Sequence, residues 1–251
     1  MSVAVWWKDY VSDDHLRRSI VHHAWVVETD LAVPALRHVD VIGRRLAFER
    51  LPGRHAVASD DLALVAADLG RWHARLARRE LVNVEADASL PIDGGELHGF
   101  LAVRAEPLSG ANAPGAIVTP ADIPTLAALA AGATTGVYKD VNVRNVLLDG
   151  GVVRHVDVDD VTLAPAGYDL GKLLLSWAMT HGRRPAIEDV LDCYNTAAGQ
   201  ELCDREHLAV WLELHYVLTY RYRAAGHYAH GWPSLRTVAD ETRARALLGS
   251  S

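Results

Sequence analysis

The 251-residue chain has few lysines and cysteines and no long apolar run. Only three of its 25 basic residues are lysine, at Lys8, Lys139 and Lys172, and the others are arginine. Two cysteines in a chain of this length do not suggest a disulfide framework. No segment has the apolar length of a membrane span or the pattern of a signal peptide. We therefore expect a soluble cytoplasmic protein that does not depend on disulfides.

The scarcity of lysine makes each lysine informative. In a chain that uses arginine almost everywhere else, a retained lysine suggests chemistry that the larger planar guanidinium cannot copy. The net charge of −7 at pH 7 argues against general binding to nucleic acids; it is compatible with a cationic small molecule, but it is also ordinary for solubility. Half of the residues are apolar, which is enough for a substantial core in one compact unit.

Residues 137–157 contain the most informative pattern of the chain. Asp140 is followed after four residues by Asn145, and Asp157 comes later in the same stretch. Residues 146–148 and 152–158 are apolar runs separated by two glycines, a pattern that predicts a β-hairpin. A loop followed by such a hairpin would bring Asp140, Asn145 and Asp157 to one place.

These residue types suit phosphoryl transfer. The reaction needs a carboxylate that orients the acceptor hydroxyl, hard oxygen ligands for Mg²⁺ and cations that neutralise the phosphates. Asp140 can orient the hydroxyl as the catalytic residue, and Asn145 and Asp157 can hold the metal. Aspartate and asparagine also favour turns for local hydrogen-bonding reasons. Three ordered matches within about thirty residues nevertheless argue against coincidence.

The pattern resembles the family of aminoglycoside phosphotransferases and choline kinases, which has a protein-kinase-like fold. That family has His-Gly-Asp, four residues and Asn, then Ile-Asp-Phe-Asp, and a Tyr-Asp-Leu that opens the next helix. The matching segments here are Tyr138-Lys139-Asp140, Asn145, Val156-Asp157-Val158-Asp159 and Tyr168-Asp169-Leu170. The resemblance implies an α+β fold with a reduced N-terminal β lobe, residues 1–51, and a mainly helical C-terminal lobe, residues 52–251.

Two departures from the family pattern lie beside Asp140. Tyr138 replaces the histidine, and a tyrosine can pack and hydrogen-bond in its place. Lys139 replaces the small residue. It could add a cation beside the transferring phosphate, or it could be a solvated surface lysine.

The resemblance also implies a nucleotide site in the first 51 residues. Lys8 ends an apolar run, residues 3–8, that resembles the kinase strand whose lysine contacts the phosphates, although an ordinary strand-end lysine has the same pattern. Residues 46–53 resemble the hinge between the lobes. Backbone groups near Glu49 and Leu51 would then contact the purine edge, and Phe48 would lie at the back of the pocket, unless it is simply a core residue.

Two pieces of the family pattern are missing. No glycine-rich phosphate loop precedes Lys8, and Ser19 stands where a helical glutamate usually pairs with the strand lysine, with Glu28 about two and a half turns further along. The chain could therefore be a reduced but active enzyme, a nucleotide-binding pseudokinase, or a sequence that lacks an upstream segment. The presence of Asp140, Asn145 and Asp157 favours the enzyme.

The rest of the chain reads as helices and one irregular segment. Residues 91–120 are rich in glycine and proline and are predicted to be an irregular insertion. A helix capped by Asp13 or Asp14 and strands over residues 37–42 and 45–50 precede it. Further helices are predicted over residues 61–75, 170–179, 186–198, 204–225 and 234–248. Aromatic and charged residues crowd the fourth of these, with Glu213 able to pair with an amine, but helical spacing assigns none of them a role.

The sequence therefore favours an Mg²⁺-dependent phosphotransferase that moves the terminal phosphate of ATP or GTP to a hydroxyl of a small molecule. The resemblance suggests an antibiotic, an aminoglycoside or a nucleoside antibiotic, as the acceptor, with resistance as the result. The alternative is a regulatory pseudokinase without transfer activity. A protein kinase is disfavoured because nothing after Asp157 resembles an activation segment. Neither nucleic acid nor a membrane is an expected partner.

Overall fold

The computed structural model describes residues 4–78, 113–158 and 161–249, which form an α+β arrangement of small sheets and seven helices. The strands are β1 (Val5–Asp9), β2 (Leu36–Asp40), β3 (Arg45–Glu49), β4 (Arg54–His55), β5 (Thr135–Tyr138), β6 (Val146–Asp149), β7 (Val152–His155) and β8 (Thr162–Pro165). The helices are α1 (Asp13–Glu28), α2 (Ser59–Arg78), α3 (Ile123–Gly132), α4 (Tyr168–His181), α5 (Ile187–Ala198), α6 (Arg205–Ala224) and α7 (Val238–Leu248). Two 3₁₀ turns, Pro120–Asp122 and Trp232–Ser234, precede α3 and α7.

The first three strands form an antiparallel sheet in the order β1-β3-β2. Its register pairs Trp6 with Phe48 and Lys8 with Leu46. A small separate core contains Leu46 and Phe48 together with Tyr10 and Leu16 of α1 and the segment before it. Burial of these apolar side chains holds α1 against the sheet.

The structure corrects two details of the N-terminal prediction. Ser12, rather than Asp13 or Asp14, caps α1, because its hydroxyl accepts the His15 N–H at 3.1 Å while the two aspartates lie in the first turn. The strand predicted over residues 37–42 ends at Asp40. Residues 41–44 instead form the turn between β2 and β3, where Arg44 has a φ of +50°.

The predicted hairpin after the candidate catalytic loop is confirmed. β6 and β7 pair antiparallel, with Asp149 opposite Val152, and Gly150 and Gly151 between them have φ of +56° and +87°. Glycine reaches these angles without steric cost, which suits a two-residue hairpin turn. β7 ends at His155, earlier than predicted, because the backbone turns at Asp157, where φ is +60°. β4 extends this hairpin to three strands, and β5 pairs with β8.

The helices of the larger part of the chain surround one main core. Its largest fully buried side chains include Trp177, Trp211, Tyr168 and Tyr194. The predicted helices are confirmed with shifted ends, the largest shift being in α7, which starts at Val238 because Thr237 caps it. None of the described helices combines the length and the apolar character that crossing a bilayer requires. Most of the predicted insertion, residues 91–112, lies outside the described residues; residues 113–119 contain no helix or strand.

Helices α2 and α5 pack closely at Gly70, and this contact gives a stability test. A Cβ on Gly70 would overlap the Tyr194 carbonyl oxygen, which belongs to the backbone and cannot rotate away. Alanine gains ~1 kcal/mol of helix propensity over glycine, whereas overpacking costs ~1–3 kcal/mol or more. We expect Gly70→Ala to lower the free energy of unfolding in urea by about 1–2 kcal/mol.

Gly132 is the matched control because a Cβ there would meet no atom within 4 Å. Gly132→Ala should leave the free energy of unfolding unchanged or raise it slightly. Equal effects of the two substitutions would contradict the described packing of α2 on α5.

Candidate active site

The candidate catalytic loop lies between β5 and β6 and is closed by its own hydrogen bonds. The Asn145 side-chain amide donates to the Asp140 carbonyl oxygen at 3.1 Å, and the Asn145 N–H donates to the Asn142 carbonyl oxygen at 2.9 Å. The Val156 N–H donates to the Asn145 carbonyl oxygen at 2.9 Å. A continuous set of contacts thus joins Asp140, Asn145 and the residue before Asp157.

Asp140 of this loop and Asp157 after β7 both have left-handed backbone angles. Asp140 has a φ of +57° and Asp157 a φ of +60°. Non-glycine residues reach this region at a cost, and aspartate tolerates it better than most. The surrounding contacts must therefore hold the loop in this shape.

One face of α4 supplies much of that support. The buried Asp169 carboxylate accepts the N–H groups of Lys139, at 3.2 and 3.3 Å, and of Val141, at 3.3 Å. The Ser176 hydroxyl accepts the Val143 N–H at 3.1 Å. Burial raises the pKa of Asp169, against the opposing effects of the Lys139 charge and of these N–H donors. The Tyr-Asp-Leu segment recognised in the sequence thus anchors the loop.

The side chain of Lys139 is fully buried, so of the two alternatives that the sequence left open the solvated surface lysine is wrong. Burial lowers its pKa, and the nearby charge of Asp169, followed by those of Asp140 and Asp157, opposes that shift. Within the described residues its ammonium has no hydrogen-bond partner. A side chain without exposed surface has no contact area for a phosphate in this structure, so Lys139 can act there only through its charge.

Lys8 extends from β1 to the Asp157 carboxylate and forms an ion pair with it. Ser19 of α1, which stands where the resemblance places a glutamate, is fully buried and has no charge to pair with Lys8. The ion pair connects the N-terminal sheet to the end of the hairpin, 149 residues apart in sequence. Lys8 therefore differs from an ordinary strand-end lysine, because it forms an ion pair with a residue outside its own sheet.

A narrow cleft with a volume of about 10 Å³ lies beside this ion pair. Its walls are Trp6, Lys8, Pro34, Phe48, Asp157 and Val158. The rings of Trp6 and Phe48 are 5.4 Å apart. Aromatic and apolar walls that end at charged groups are typical of a site for a flat ring carrying a charged tail.

The predicted hinge residues follow Phe48 on β3. The Glu49 N–H donates to the Ala35 carbonyl oxygen at 2.9 Å, and the Glu49 carboxylate pairs with Arg37 at 2.5 Å. Leu51 lies beyond the strand, and its N–H has no backbone acceptor within the described ranges. The Glu49 N–H is thus already used in the sheet, whereas the Leu51 N–H is available.

Lys172 is the site residue that the sequence did not identify. Its ammonium lies 3.2 Å from Asp140 Oδ1 and donates to the Thr219 hydroxyl of α6 at 3.4 Å. In the sequence, the rarity of lysine singled out Lys172, but no pattern indicated which residue it would contact. In the structure, two of the three lysines pair with the candidate catalytic and metal-binding carboxylates, and the third is buried behind them.

Glu213 is not available for an amine. Its two carboxylate oxygens accept the Trp232 indole N–H at 2.7 Å and the Arg236 guanidinium at 2.9 Å. Burial raises its pKa to about 7, although Arg236 opposes that shift. Trp211, on the same helix, is fully buried and belongs to the core.

Comparison with solved structures identifies the fold as that of protein-kinase-like phosphotransferases. Aminoglycoside phosphotransferase APH(3'')-Id from Streptomyces rimosus, in complex with ADP and streptomycin, is 17% identical with a TM-score of 0.60, over 86% of this chain and 87% of that one. Choline kinase LicA from Streptococcus pneumoniae is 14% identical with a TM-score of 0.59, over 100% and 88%. Amicoumacin kinase hAmiN, in complex with AMP-PNP, Ca²⁺ and Ami, is 12% identical with a TM-score of 0.56, over 98% and 79%.

The model of the phosphotransferase enzyme family matches residues 15–202, and the chain belongs to this family. The predicted α+β, protein-kinase-like fold and the predicted family are therefore confirmed. The chain is a small-molecule phosphotransferase. A search of curated proteins by sequence gave no match.

The anchoring role of Asp169 gives a test of the loop geometry. Asp169→Ala removes the acceptor for the Lys139 and Val141 N–H groups and the largest of the negative charges that compensate the buried Lys139. A buried donor without an acceptor costs ~1–3 kcal/mol. We expect a loss of about 3 kcal/mol in the free energy of unfolding, with faster amide hydrogen exchange at residues 139 and 141.

Asp149→Ala is the control, because that carboxylate is partly exposed in the β6–β7 hairpin and pairs only with Arg154. Exposed ion pairs contribute ~1 kcal/mol or less. If Asp169→Ala were no more destabilising than Asp149→Ala, the loop would not depend on the buried carboxylate.

Proposed function

We propose that the protein transfers the terminal phosphate of ATP or GTP, with Mg²⁺, to a hydroxyl of a small molecule. The observation that carries the proposal is the set of contacts joining Asp140 and Asn145 to the strand end before Asp157, with Lys8 paired to Asp157. Phosphoryl transfer requires positioned oxygen ligands, a hydroxyl-orienting carboxylate and cations for the phosphates. One region of this chain offers all three.

The nucleotide would bind at the cleft between Trp6, Phe48 and Lys8, which would have to widen to admit the purine. Its purine would stack near the two aromatic rings, with Phe48 at the back of the pocket, and its edge would meet the Glu49 carbonyl and the Leu51 N–H. Lys8 would contact the phosphates. The nucleotide complexes of two structural relatives, with ADP and with AMP-PNP, support a nucleotide in this fold.

Asn145 and Asp157 suit Mg²⁺ by their chemistry. Both offer hard oxygen donors, and the Asn145 amide nitrogen is already used in its bond to the Asp140 carbonyl, which leaves the amide oxygen for a cation. Among the described residues there is no cluster of three histidine, cysteine or acidic ligands. Mg²⁺ commonly takes one or two protein ligands together with phosphates and water. When bound there, it would neutralise the charge of the phosphates.

Asp140 would orient the acceptor hydroxyl. The acceptor oxygen forms a bond to the terminal phosphorus, and the bond from that phosphorus to the bridging oxygen of the nucleotide breaks, releasing the nucleoside diphosphate. The proton that the hydroxyl loses passes late in the reaction to the Asp140 carboxylate. Lys139, buried behind the loop, would contribute only its charge.

An antibiotic is the proposed acceptor, either an aminoglycoside or a nucleoside antibiotic, and its phosphorylation in the cytoplasm would give resistance. Two structural relatives support a small-molecule acceptor: an aminoglycoside phosphotransferase is bound to streptomycin, and another relative is an amicoumacin kinase. The net charge of −7 is compatible with a cationic acceptor. Because Glu213 is engaged by Trp232 and Arg236, amine recognition would have to use other residues.

The nucleotide site can be tested by calorimetric titration of the full chain with ATP and with GTP, each with and without Mg²⁺. We expect Mg²⁺ to strengthen binding of the preferred nucleotide, because Asp157 and Asn145 provide its protein ligands. Asp157→Asn should reduce this Mg²⁺ dependence by ~10-fold or more, since a lost charged contact is worth ~1.5–3 kcal/mol.

Asp149→Asn removes a similar charge in the β6–β7 hairpin and should bind both nucleotides as the parent protein does. The absence of binding of either nucleotide would contradict the proposed site and would favour a pseudokinase that has lost its ligand.

The catalytic assignment can be tested with Asp140→Asn. A panel of aminoglycoside and nucleoside antibiotics, scored by the release of nucleoside diphosphate, would first supply the acceptor. Asp140→Asn should then lower turnover by ~10²-fold or more, because a positioned acid-base group is typically worth that much. Its nucleotide affinity should stay nearly unchanged, since the carboxylate contacts the acceptor hydroxyl. Unchanged turnover would rule out Asp140 as the catalytic residue.

A further inference from the structure

Lys172 is a buried cation directly behind the candidate catalytic carboxylate. Only 7% of the residue is exposed, whereas 47% of the Asp140 side chain is exposed. The ammonium lies 3.2 Å from Asp140 Oδ1, which is within contact distance of an ion pair. The charge of Lys172 thus lies buried beside the half-exposed carboxylate of Asp140.

The position of Lys172 is fixed from two sides. It follows Asp169 by three residues and precedes Ser176 by four, so the three side chains lie on one face of α4. Asp169 and Ser176 both accept backbone N–H groups of the catalytic loop. On the other side, Lys172 donates to the hydroxyl of Thr219, which is buried on α6. Such a cation has little freedom to move away from Asp140.

The reaction needs a charge of this kind at this place. Asp140 would have to stay beside a terminal phosphate that also carries negative charge, with the carboxylate of Asp157 close by. Repulsion between like charges in a partly desolvated cleft pushes the carboxylate away from the phosphate. An ammonium held behind the carboxylate offsets that repulsion, and its fixed direction limits how the carboxylate can rotate.

We propose that Lys172 is a positioning residue of the transfer reaction, which holds the Asp140 carboxylate toward the acceptor hydroxyl and offsets its charge beside the phosphate. This inference depends on the proposed catalytic role of Asp140. Lysine suits the position because a compact ammonium can contact one carboxylate oxygen and one hydroxyl at once, whereas the wider guanidinium fork needs more room.

A double-mutant cycle tests whether Lys172 acts through Asp140. The assay is the release of ADP by the full chain with Mg²⁺ and ATP, water serving as acceptor, for the parent, Lys172→Met, Asp140→Asn and the double variant. Lys172→Met should lower turnover by between ~10-fold and ~10²-fold, because a small misplacement of a reacting group can cost that much. Its nucleotide dissociation constant should change less than twofold.

Whether the losses of turnover in the two single variants add up in the double variant distinguishes a positioning role from general support of the fold. We expect the double variant to turn over no more slowly than Asp140→Asn alone, because the lysine has no carboxylate left to position. Thr219→Val, which keeps the shape of the side chain and removes the hydroxyl, should give a smaller loss than Lys172→Met. Additive losses in the cycle would overturn the proposal, as they would indicate that Lys172 acts independently of Asp140.

The three lysines allow a second test that needs no activity. Lysine labelled with ¹⁵N at the side-chain nitrogen gives at most three ammonium signals, and Lys172→Met identifies the signal of Lys172. Asp140→Asn should shift that signal or speed its exchange with water; an unchanged signal would overturn the pairing. If the pair is present but the parent protein releases no ADP, either with water or with any acceptor of the antibiotic panel, the proposed function fails and the pairing stands. ADP release with an additive cycle contradicts the positioning role alone.

Discussion

The buried carboxylate of Asp169 is the interaction on which the candidate site depends. It accepts the N–H groups on both sides of Asp140, at Lys139 and Val141, while Asp140 itself has a left-handed backbone. A bend of this kind in a non-glycine residue persists only where neighbouring contacts fix it. Since Asp169 belongs to the first turn of α4, the loop is held by a rigid helix that lies in the main core, and the loop geometry is therefore coupled to the packing of the larger part of the chain.

Charge balance organises the rest of the site. Lys172 faces Asp140, Lys8 faces Asp157, and Lys139 lies within the fields of the same carboxylates and of Asp169. Buried or half-buried charges are costly unless an opposite charge or hydrogen bonds compensate them. The three lysines and the carboxylates meet this requirement together. In a chain that otherwise uses arginine, Lys8 and Lys172 each bring a compact ammonium to a carboxylate oxygen, and Lys139 is fully buried.

The pairing of Lys8 with Asp157 joins the N-terminal sheet to the segment that follows the β6–β7 hairpin. Ser19 is buried in α1 and offers no charge to Lys8, whereas the carboxylate of Asp157 pairs with it. This contact links two parts of the candidate site directly. In the proposed reaction, bound metal and phosphates would compete for the same two charged groups.

The features that the sequence predicted are those encoded by local chemistry. The hairpin follows from two apolar runs around Gly150 and Gly151, and the helices follow from their periodic apolar residues. The sequence predicted less where neighbouring residues could each cap the same helix. Ser12 rather than Asp13 caps α1, because the path of the backbone decides which side chain reaches the free N–H groups.

The sequence by itself therefore determined the family-like order of Asp140, Asn145, Asp157 and Asp169 and the turn that brings the middle two close, because those depend on spacing and on turn preferences. Only the tertiary structure decided that Lys139 is buried, that Lys172 faces Asp140 and that Glu213 is engaged by Trp232 and Arg236. Those contacts join residues from different helices and loops. Their distances depend on how whole elements pack, and burial of a charge is decided by every neighbour around it, which no local pattern encodes.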